Sequence, residues 1–172
     1  MSATHPVHPT APEDPAGAAS AVEIGCEVPA FSAASTAGPF ALHEVRGKIL
    51  ILYFYPKDNT PGCTTQGMDF RDLHAEILAA GAVVWGVSRD ALRSHENFRA
   101  KYELPFALIS DPDEALCQLF GVMKSKTMYG KPVRGIERST FVIGRDGVLL
   151  RAWRAVKVPG HVAEVLAFVR SL

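Results

Sequence analysis

The sequence has few cysteines, and their spacing excludes two common roles. Cys26, Cys63 and Cys117 lie 37 and 54 residues apart in a chain of 172 residues. A disulfide framework needs an even set of thiols, and a structural zinc site needs closely spaced ligand pairs, so neither fits. Three widely separated thiols are typical of a reducing compartment, where one cysteine performs chemistry and the others pack. We therefore expect a cytoplasmic protein without a metal centre.

Long apolar runs and concentrated basic runs are also missing. No stretch approaches the roughly 18 apolar residues that a membrane span needs, so we expect no association with a membrane. All 18 lysine and arginine residues follow residue 45, where they are scattered and outnumber the acidic residues by five. An excess this small and dispersed does not form the basic stripe of a nucleic-acid-binding protein. Nucleic acid is therefore not an expected partner.

The first 22 residues lack lysine and arginine and are rich in Ala, Pro, Ser, Thr and His. A secretory signal needs a positive start and an apolar segment, and a transit peptide needs arginines, so neither is predicted. A segment of this composition cannot bury enough apolar surface to fold. We predict that residues 1–22 are a disordered tail and that residues 23–172 form one domain.

The rest of the chain alternates apolar runs with amphipathic stretches, which is the pattern of an α/β protein. The predicted strands are residues 48–54, 82–88, 106–109, 139–143 and 148–153. The predicted helices are a stretch after Cys63 and residues 92–102, 114–120 and 161–172. The Gly-Arg-Asp-Gly segment at residues 144–147 predicts a hairpin, so the sheet is mixed, with helices on both faces. Residues 121–135, rich in glycine and lysine, are predicted to be a loop.

Cys63 stands where the first predicted strand, a loop and a helix meet. It follows Pro61 and Gly62 and begins the helical stretch. The free backbone N–H groups and the dipole at a helix start favour an anion. Since the thiolate is the nucleophilic form, this position predicts a reactive cysteine, although a structural cysteine at a turn would give the same local pattern.

The residues around Cys63 match a known pattern. Pro56, Thr60 and Cys63 have the spacing Pro-x-x-x-Thr-x-x-Cys, preceded by Tyr-Phe-Tyr at residues 53–55. This resembles the peroxidatic signature of peroxiredoxins, in the bacterioferritin comigratory protein or peroxiredoxin Q subfamily. Similar segments follow the same order along most of the chain: Gly25-x-x-Val28-Pro29-x-Phe31, Gly86-Val87-Ser88, Ser110-Asp111, Phe120-Gly121-Val122 and Arg138-Ser139-Thr140-Phe141. The resemblance implies a thioredoxin-like fold.

The resemblance also implies a reaction. The Cys63 thiolate would attack hydrogen peroxide or an organic hydroperoxide and become sulfenic acid, with no metal or organic cofactor. Arg138 would favour the thiolate and stabilise charge on the leaving oxygen. The Thr60 hydroxyl would turn toward the sulfur, and Pro56 would shield the pocket from water. The backbone N–H groups of Gly62 and Cys63 are the candidate peroxide-binding donors.

The sequence departs from the subfamily at the places where a second thiol would reduce the sulfenic acid. Many members have a resolving cysteine five or about 36 residues after the first, and this chain has Met68 and Arg99 there. The departure favours a one-cysteine cycle in which thioredoxin, glutaredoxin or a low-molecular-weight thiol acts as reductant. Cys117 and Cys26 remain unconventional candidates for a resolving role, with packing and chance exposure as the competing explanations.

Two other functions stay open at this point. A thiol–disulfide oxidoreductase on the same fold would need a second cysteine near Cys63, but positions 60 and 66 are Thr and Gln. A peroxide sensor or holdase would need Cys63 oxidation without turnover, and the vacant resolving positions are compatible with that. A monomer is the expected quaternary state.

Overall fold

The computed structural model describes residues 21–172. Over this range the chain forms nine strands: β1 Ser32–Ser35, β2 Phe40–Ala41, β3 Ile49–Phe54, β4 Ala82–Ser88, β5 Leu108–Ser110, β6 Met123–Met128, β7 Lys131–Ile136, β8 Ser139–Ile143 and β9 Leu149–Trp153. The α-helices in the same range are α1 Pro61–Asp72, α2 His74–Ala79, α3 Leu92–Lys101, α4 Ala115–Leu119 and α5 His161–Arg170, and a 3₁₀ helix covers Leu42–Val45. None of these helices is long and apolar enough to cross a membrane.

Seven strands form one mixed sheet in the order β2-β1-β5-β4-β3-β8-β9. Strands β3, β4 and β5 are parallel, while β8 pairs antiparallel with β3. Strand β3 is central, and all six of its residues are buried. This explains its continuous apolar sequence, because a strand covered on both faces needs apolar side chains in every position.

The alternation of side chains along β3 divides the core into two layers. Ile51 and Tyr53 point to one face, together with Cys63 and the buried residues of α1, α2, α3 and α5. Leu50 and Leu52 point to the other face, together with the buried residues of α4. We call these the Cys63 face and the Cys117 face, after the cysteine that each contains.

The predicted architecture, a mixed sheet flanked by helices, is confirmed, but some details of the prediction were wrong. Residues 121–135 are not a loop, because β6 and β7 pair across most of this segment as an antiparallel hairpin. The helix after Cys63 is interrupted at Leu73, which separates α1 from α2. The short strands β1 and β2 were not predicted.

The predicted tail lies outside the described residues, apart from its last two. Ala21 donates its backbone N–H to the Leu119 carbonyl at 3.1 Å, and Val22 is buried on the Cys117 face. The folded part therefore includes these two residues. The disorder predicted for the preceding segment stays a prediction.

Candidate active site

The turn between β3 and α1 determines where Cys63 lies. Pro61 occupies the first turn of α1, where its missing N–H costs no hydrogen bond. The Thr64 N–H donates to the Thr60 carbonyl at 2.9 Å. Gly62 and Cys63 precede Thr64 in the first turn of α1, where backbone N–H groups lack acceptors within the helix. The Cys63 sulfur therefore lies at the positive end of a twelve-residue helix.

Arg138 provides a full positive charge next to this sulfur. It comes directly before β8, whose first residue, Ser139, pairs with Phe54 at the end of β3. Arg138 Nη2 donates toward Cys63 Sγ at 3.4 Å. The predicted proximity of the two residues, 75 positions apart in the sequence, is therefore present in the fold. A fixed positive charge therefore stands beside the Cys63 sulfur.

Gln66 fixes the orientation of the guanidinium. It lies three residues after Cys63 in α1, is fully buried, and accepts a hydrogen bond from Arg138 Nη1 at 2.6 Å. One nitrogen of Arg138 is thus held by Gln66 while the other faces the sulfur. The sequence analysis missed this residue; its signal was the i, i+3 spacing from Cys63, which places both side chains on one face of the helix.

Gly62 leaves the space that Arg138 needs. A Cβ atom at this position would lie 3.0 Å from Arg138 Nη2, closer than nearly all real contacts of a Cβ atom. An alanine here would require the guanidinium to shift by a few tenths of an ångström. Glycine at position 62 therefore allows the close approach of Arg138, in addition to supplying the backbone N–H predicted to bind peroxide.

Thr60 and Pro56 are placed less directly. The Thr60 hydroxyl donates to the Lys57 carbonyl at 2.7 Å, so its proton is used within the loop and its lone pairs remain as acceptors. Pro56 is exposed. The expected contact of Thr60 with the sulfur and the shielding by Pro56 therefore stay predictions.

Two buried polar atoms on the Cys63 face have no hydrogen-bond partner within residues 21–172. They are the Tyr53 hydroxyl and the Gln66 amide nitrogen. Burial raises the pKa of Tyr53, the charges of Cys63 and Asp58 raise it further, and Arg138 opposes them. Tyr53 therefore keeps its proton as a donor.

A buried polar network holds the loop before Cys63 against α3. Asp58 accepts hydrogen bonds from the Tyr55 hydroxyl at 2.6 Å and the Ser94 hydroxyl at 2.8 Å. The same carboxylate lies 2.7 Å from His95 Nδ1, and His95 Nε2 lies 2.8 Å from the Ile109 carbonyl. Since a carbonyl only accepts, Nε2 carries a proton, and the short contact to Asp58 requires a second proton between the two side chains.

His95 and Asp58, together with Asp90, are close enough in space to be considered as metal ligands. One possible ligand atom from each lies within 4.8 Å of the others. These atoms already have partners, however: Asp90 Oδ2 accepts from the Asp58 backbone N–H and from the Ser88 hydroxyl. We therefore interpret the group as a hydrogen-bond network. The expectation of no metal stays a prediction.

Cys117 lies on the opposite side of the sheet from Cys63. It is fully buried on the Cys117 face, where it packs with Leu116 and Phe120. Burial, followed by the charge and hydrogen bond of Asp111, raises the pKa of the Cys117 thiol. The central strands lie between the two sulfurs, and a resolving role for Cys117 stays a prediction.

Cys26 lies at the other end of the sheet. It is exposed, and its carbonyl accepts from the Leu149 N–H, next to the turn that joins β8 and β9. That turn contacts the segment before β3, whereas Cys63 follows the end of β3. The length of β3, about 20 Å at 3.3 Å per residue, therefore separates the two cysteines within one chain.

The fold and the site together define a cysteine-dependent enzyme of the thioredoxin-like class. A buried cysteine stands at a helix N-terminus, beside an arginine held in place by a buried amide. Residues 24–152 match the AhpC/TSA family. The chain belongs to this family and is a peroxiredoxin of the bacterioferritin comigratory protein (peroxiredoxin Q) group, and hence a peroxidase.

Individual relatives support this assignment. The chain is 47% identical over 146 residues to a putative peroxiredoxin Bcp of Coxiella burnetii, covering 84% of this chain and 97% of the relative. It is 56% identical over 125 residues to peroxiredoxin Bcp of Xanthomonas campestris, covering 73% and 78%. A structure of the Xanthomonas campestris bacterioferritin comigratory protein, studied for alkyl peroxide reduction, has a TM-score of 0.79 and 50% identity, covering 82% of this chain and 90% of that one. The predicted thioredoxin-like fold is confirmed.

Proposed function

We propose that the protein reduces hydrogen peroxide and organic hydroperoxides by a one-cysteine cycle. The Cys63 thiolate attacks one peroxide oxygen, the O–O bond breaks, and the other oxygen leaves as water or an alcohol after taking a proton. The cysteine becomes sulfenic acid, so sulfur is oxidised as the peroxide is reduced. The contact between Arg138 and Cys63 Sγ at 3.4 Å carries this proposal, since a fixed cation there stabilises both the thiolate and the leaving oxygen.

The first turn of α1 supplies the other contacts of the proposed reaction. The backbone N–H groups of Gly62 and Cys63 hold the peroxide oxygens. The Thr60 hydroxyl donates a hydrogen bond to the Lys57 carbonyl, so its oxygen acts as an acceptor for the peroxide O–H. Pro56 covers the loop side of the pocket. Organic hydroperoxides are included because the similar Xanthomonas protein was studied for alkyl peroxide reduction.

The recovery of Cys63 depends on a thiol from outside the chain. Met68 and Arg99 occupy the usual resolving positions, Cys117 lies across the sheet, and Cys26 lies at its far end. A first external thiol condenses with the sulfenic acid and releases water; a second thiol then breaks this mixed disulfide. We propose thioredoxin, glutaredoxin or a low-molecular-weight thiol as the reductant, in the cytoplasm, with the enzyme as a monomer.

Access to the sulfur limits the second half of this cycle. Cys63 is only 2% exposed, so a small peroxide can enter more easily than a protein thiol. A protein reductant requires the first turn of α1 to open. This requirement favours the competing function as a peroxide sensor or holdase, in which oxidised Cys63 persists and turnover is slow.

Mass spectrometry after one equivalent of hydrogen peroxide tests the first half of the cycle. A sulfenic-specific reagent should label the wild type at Cys63, and the Cys26→Ser and Cys117→Ser variants should be labelled equally well. The Cys63→Ser variant should remain unlabelled. A wild type that loses two hydrogens, with a cross-link abolished in one of the serine variants, would instead identify that cysteine as a resolving residue.

Steady-state peroxide consumption distinguishes the catalyst from the sensor. With excess dithiothreitol, thioredoxin or glutathione, we expect many turnovers per Cys63. A single turnover in the presence of every reductant would support the sensor. Reduction of protein disulfides at a useful rate would support a thiol–disulfide oxidoreductase.

A further inference from the structure

The β6–β7 hairpin has an unusual composition. Residues 123–136 contain three lysines and one arginine but no acidic residue, in a chain whose formal net charge is zero. The two strands pair along their full length, from Met123 opposite Ile136 to Met128 opposite Lys131. They form a separate two-stranded sheet in which most residues are exposed.

Side-chain alternation gives this hairpin two different faces. The inner face packs on the protein: Ile136 is buried, Met123 packs against the Cys117 face, and Arg134 forms an ion pair with Glu114. The outer face consists of the residues that alternate with these, on both strands. Its side chains are Lys124, Lys126, Met128, Lys131 and Val133.

The outer face combines uncompensated charge with exposed apolar surface. Its three lysines are exposed. Met128 is 51% exposed, Val133 is 44% exposed, and Tyr129 at the turn is 99% exposed. Large apolar side chains grouped in this way on a projecting element mark an interaction surface more often than scattered ones do. An apolar centre, in which methionine and aromatic residues are enriched, with a polar rim around it is also the usual anatomy of a protein-binding patch.

The hairpin begins at the end of the sheet that holds Cys63. Strand β7 ends at Ile136, and Arg138, two residues later, contacts the Cys63 sulfur. Strand β8 then starts opposite the end of β3, and from that end the chain continues through residues 55–60 to the helix that contains Cys63. At about 3.3 Å per residue, the six residues of β7 extend the hairpin about 20 Å from this base. The base of the hairpin therefore lies at the Cys63 end of the sheet, while its inner face packs on the Cys117 face.

We propose that the outer face of the β6–β7 hairpin is the docking surface for a protein reductant with acidic residues around its reactive thiol. This inference rests on the proposed function, which requires an external thiol at Cys63. The lysines attract the acidic surface and speed its approach, and Met128, Val133 and Tyr129 form the apolar centre of a small, transient interface.

Charge reversal tests the electrostatic part of this proposal. The Lys124→Glu/Lys126→Glu double variant should lower kcat/KM for thioredoxin at least about tenfold at low salt, and the difference should shrink as salt rises. The rate constant of Cys63 with hydrogen peroxide and the turnover supported by dithiothreitol, a small neutral reductant, should stay unchanged. A Lys48→Glu/Lys101→Glu variant changes the net charge equally and is the matched control, since both residues are exposed and lie away from the hairpin.

The apolar part of the surface gives a second readout. The Met128→Ser/Val133→Ser variant should raise KM for thioredoxin at both low and high salt, since no charge is altered. Its circular dichroism spectrum and its reaction with hydrogen peroxide should match those of the wild type, because both residues lie outside the core. Unchanged thioredoxin kinetics in both hairpin variants would overturn the proposal.

Other outcomes separate this proposal from its alternatives. An equal loss of kcat/KM for thioredoxin in the charge-reversed hairpin variant and in the matched control would show an effect of net charge alone. Wild-type turnover with dithiothreitol but not with thioredoxin or glutaredoxin would overturn docking of a protein reductant and leave the peroxidase intact. If the wild type binds anionic vesicles or RNA, and the hairpin variants lose this binding while their thioredoxin kinetics stay unchanged, the face would be assigned to another partner. Failure of every thiol, dithiothreitol included, would reject the proposed function itself.

Discussion

Cys63 and Cys117 are both buried, both belong to helices and both lie against the central sheet, yet their surroundings differ in charge. Cys63 is 2% exposed and has the Arg138 guanidinium 3.4 Å from its sulfur. Cys117 is 0% exposed and has the Asp111 carboxylate as its charged neighbour. A positive neighbour favours the thiolate and a negative neighbour favours the thiol.

The two faces of the sheet extend this contrast beyond the cysteines. The Cys63 face contains the unpartnered Tyr53 hydroxyl and Gln66 amide nitrogen and the buried pair of Asp58 and His95. On the Cys117 face, the Asp111 carboxylate accepts from the Leu116 and Cys117 N–H groups and holds α4 in place. The two thiols therefore differ in the polar groups around them, since burial alone is nearly equal at the two sites.

The largest expected effect comes from exchanging the two cysteines for serine in turn. Cys63→Ser should reduce peroxide consumption to background, because a serine hydroxyl is not a nucleophile without a strong base. Cys117→Ser should keep the wild-type rate constant with hydrogen peroxide, measured by stopped-flow fluorescence or competition. A large loss in Cys117→Ser without a loss of folded protein would break the contrast between the faces.

Removing the positive charge beside Cys63 should have the next largest effect. Arg138→Met should lower the rate constant with hydrogen peroxide roughly 10²–10³-fold, the range found when one fixed donor to a developing oxyanion is removed. Arg138→Lys should restore part of the rate, since an ammonium group keeps the charge but lacks the planar fork that reaches both Gln66 and the sulfur. Arg170→Met is the matched control, because Arg170 forms an exposed ion pair with Glu76.

The elements that position Cys63 were predictable from the sequence because their signals are local. Buried parallel strands such as β3 and β4 are continuous apolar runs, and the Pro-Gly pair before Cys63 indicates a helix start. The approach of Arg138 could be expected only from the resemblance to peroxiredoxins. No local pattern connects two residues 75 positions apart.

The hairpin and the buried network could not be predicted in the same way. Strands β6 and β7 pair mainly with each other, so they lack the apolar face that identifies a strand in the core. Asp58 and His95 lie in a polar loop and a polar helix, and 37 positions separate them. Their contact exists because packing brings α3 against the loop, which is a tertiary event.

Breaking the Asp58–His95 pair should test whether the Cys63 face depends on buried polar contacts. His95→Phe should lower the free energy of unfolding by about 3–5 kcal/mol, because it leaves the Asp58 carboxylate buried without its main partner. Asp111→Asn on the other face should cost about 1 kcal/mol, as for the loss of a helix cap. Urea denaturation of both variants measures the difference, and equal costs would show that the two faces are held in the same way.

The smallest effect concerns the pH dependence contributed by Cys117. Its pKa is raised in the folded protein, so the folded state keeps a proton that the unfolded state loses above pH about 8.5. The stabilisation by this thiol is therefore complete well below that pH and decreases as pH rises through it, with a slope that approaches about 1.4 kcal/mol per pH unit above it. Urea denaturation between pH 8.5 and 9.5 should show a steeper loss of stability for the wild type than for Cys117→Ala. The range stays below the ordinary pKa of tyrosine, near 10, so ionisation of Tyr53 and Tyr55 in the unfolded state contributes little. Parallel slopes would mean that Cys117 ionises as readily in the folded protein as in the unfolded chain, and the charge contrast with Cys63 would then fail.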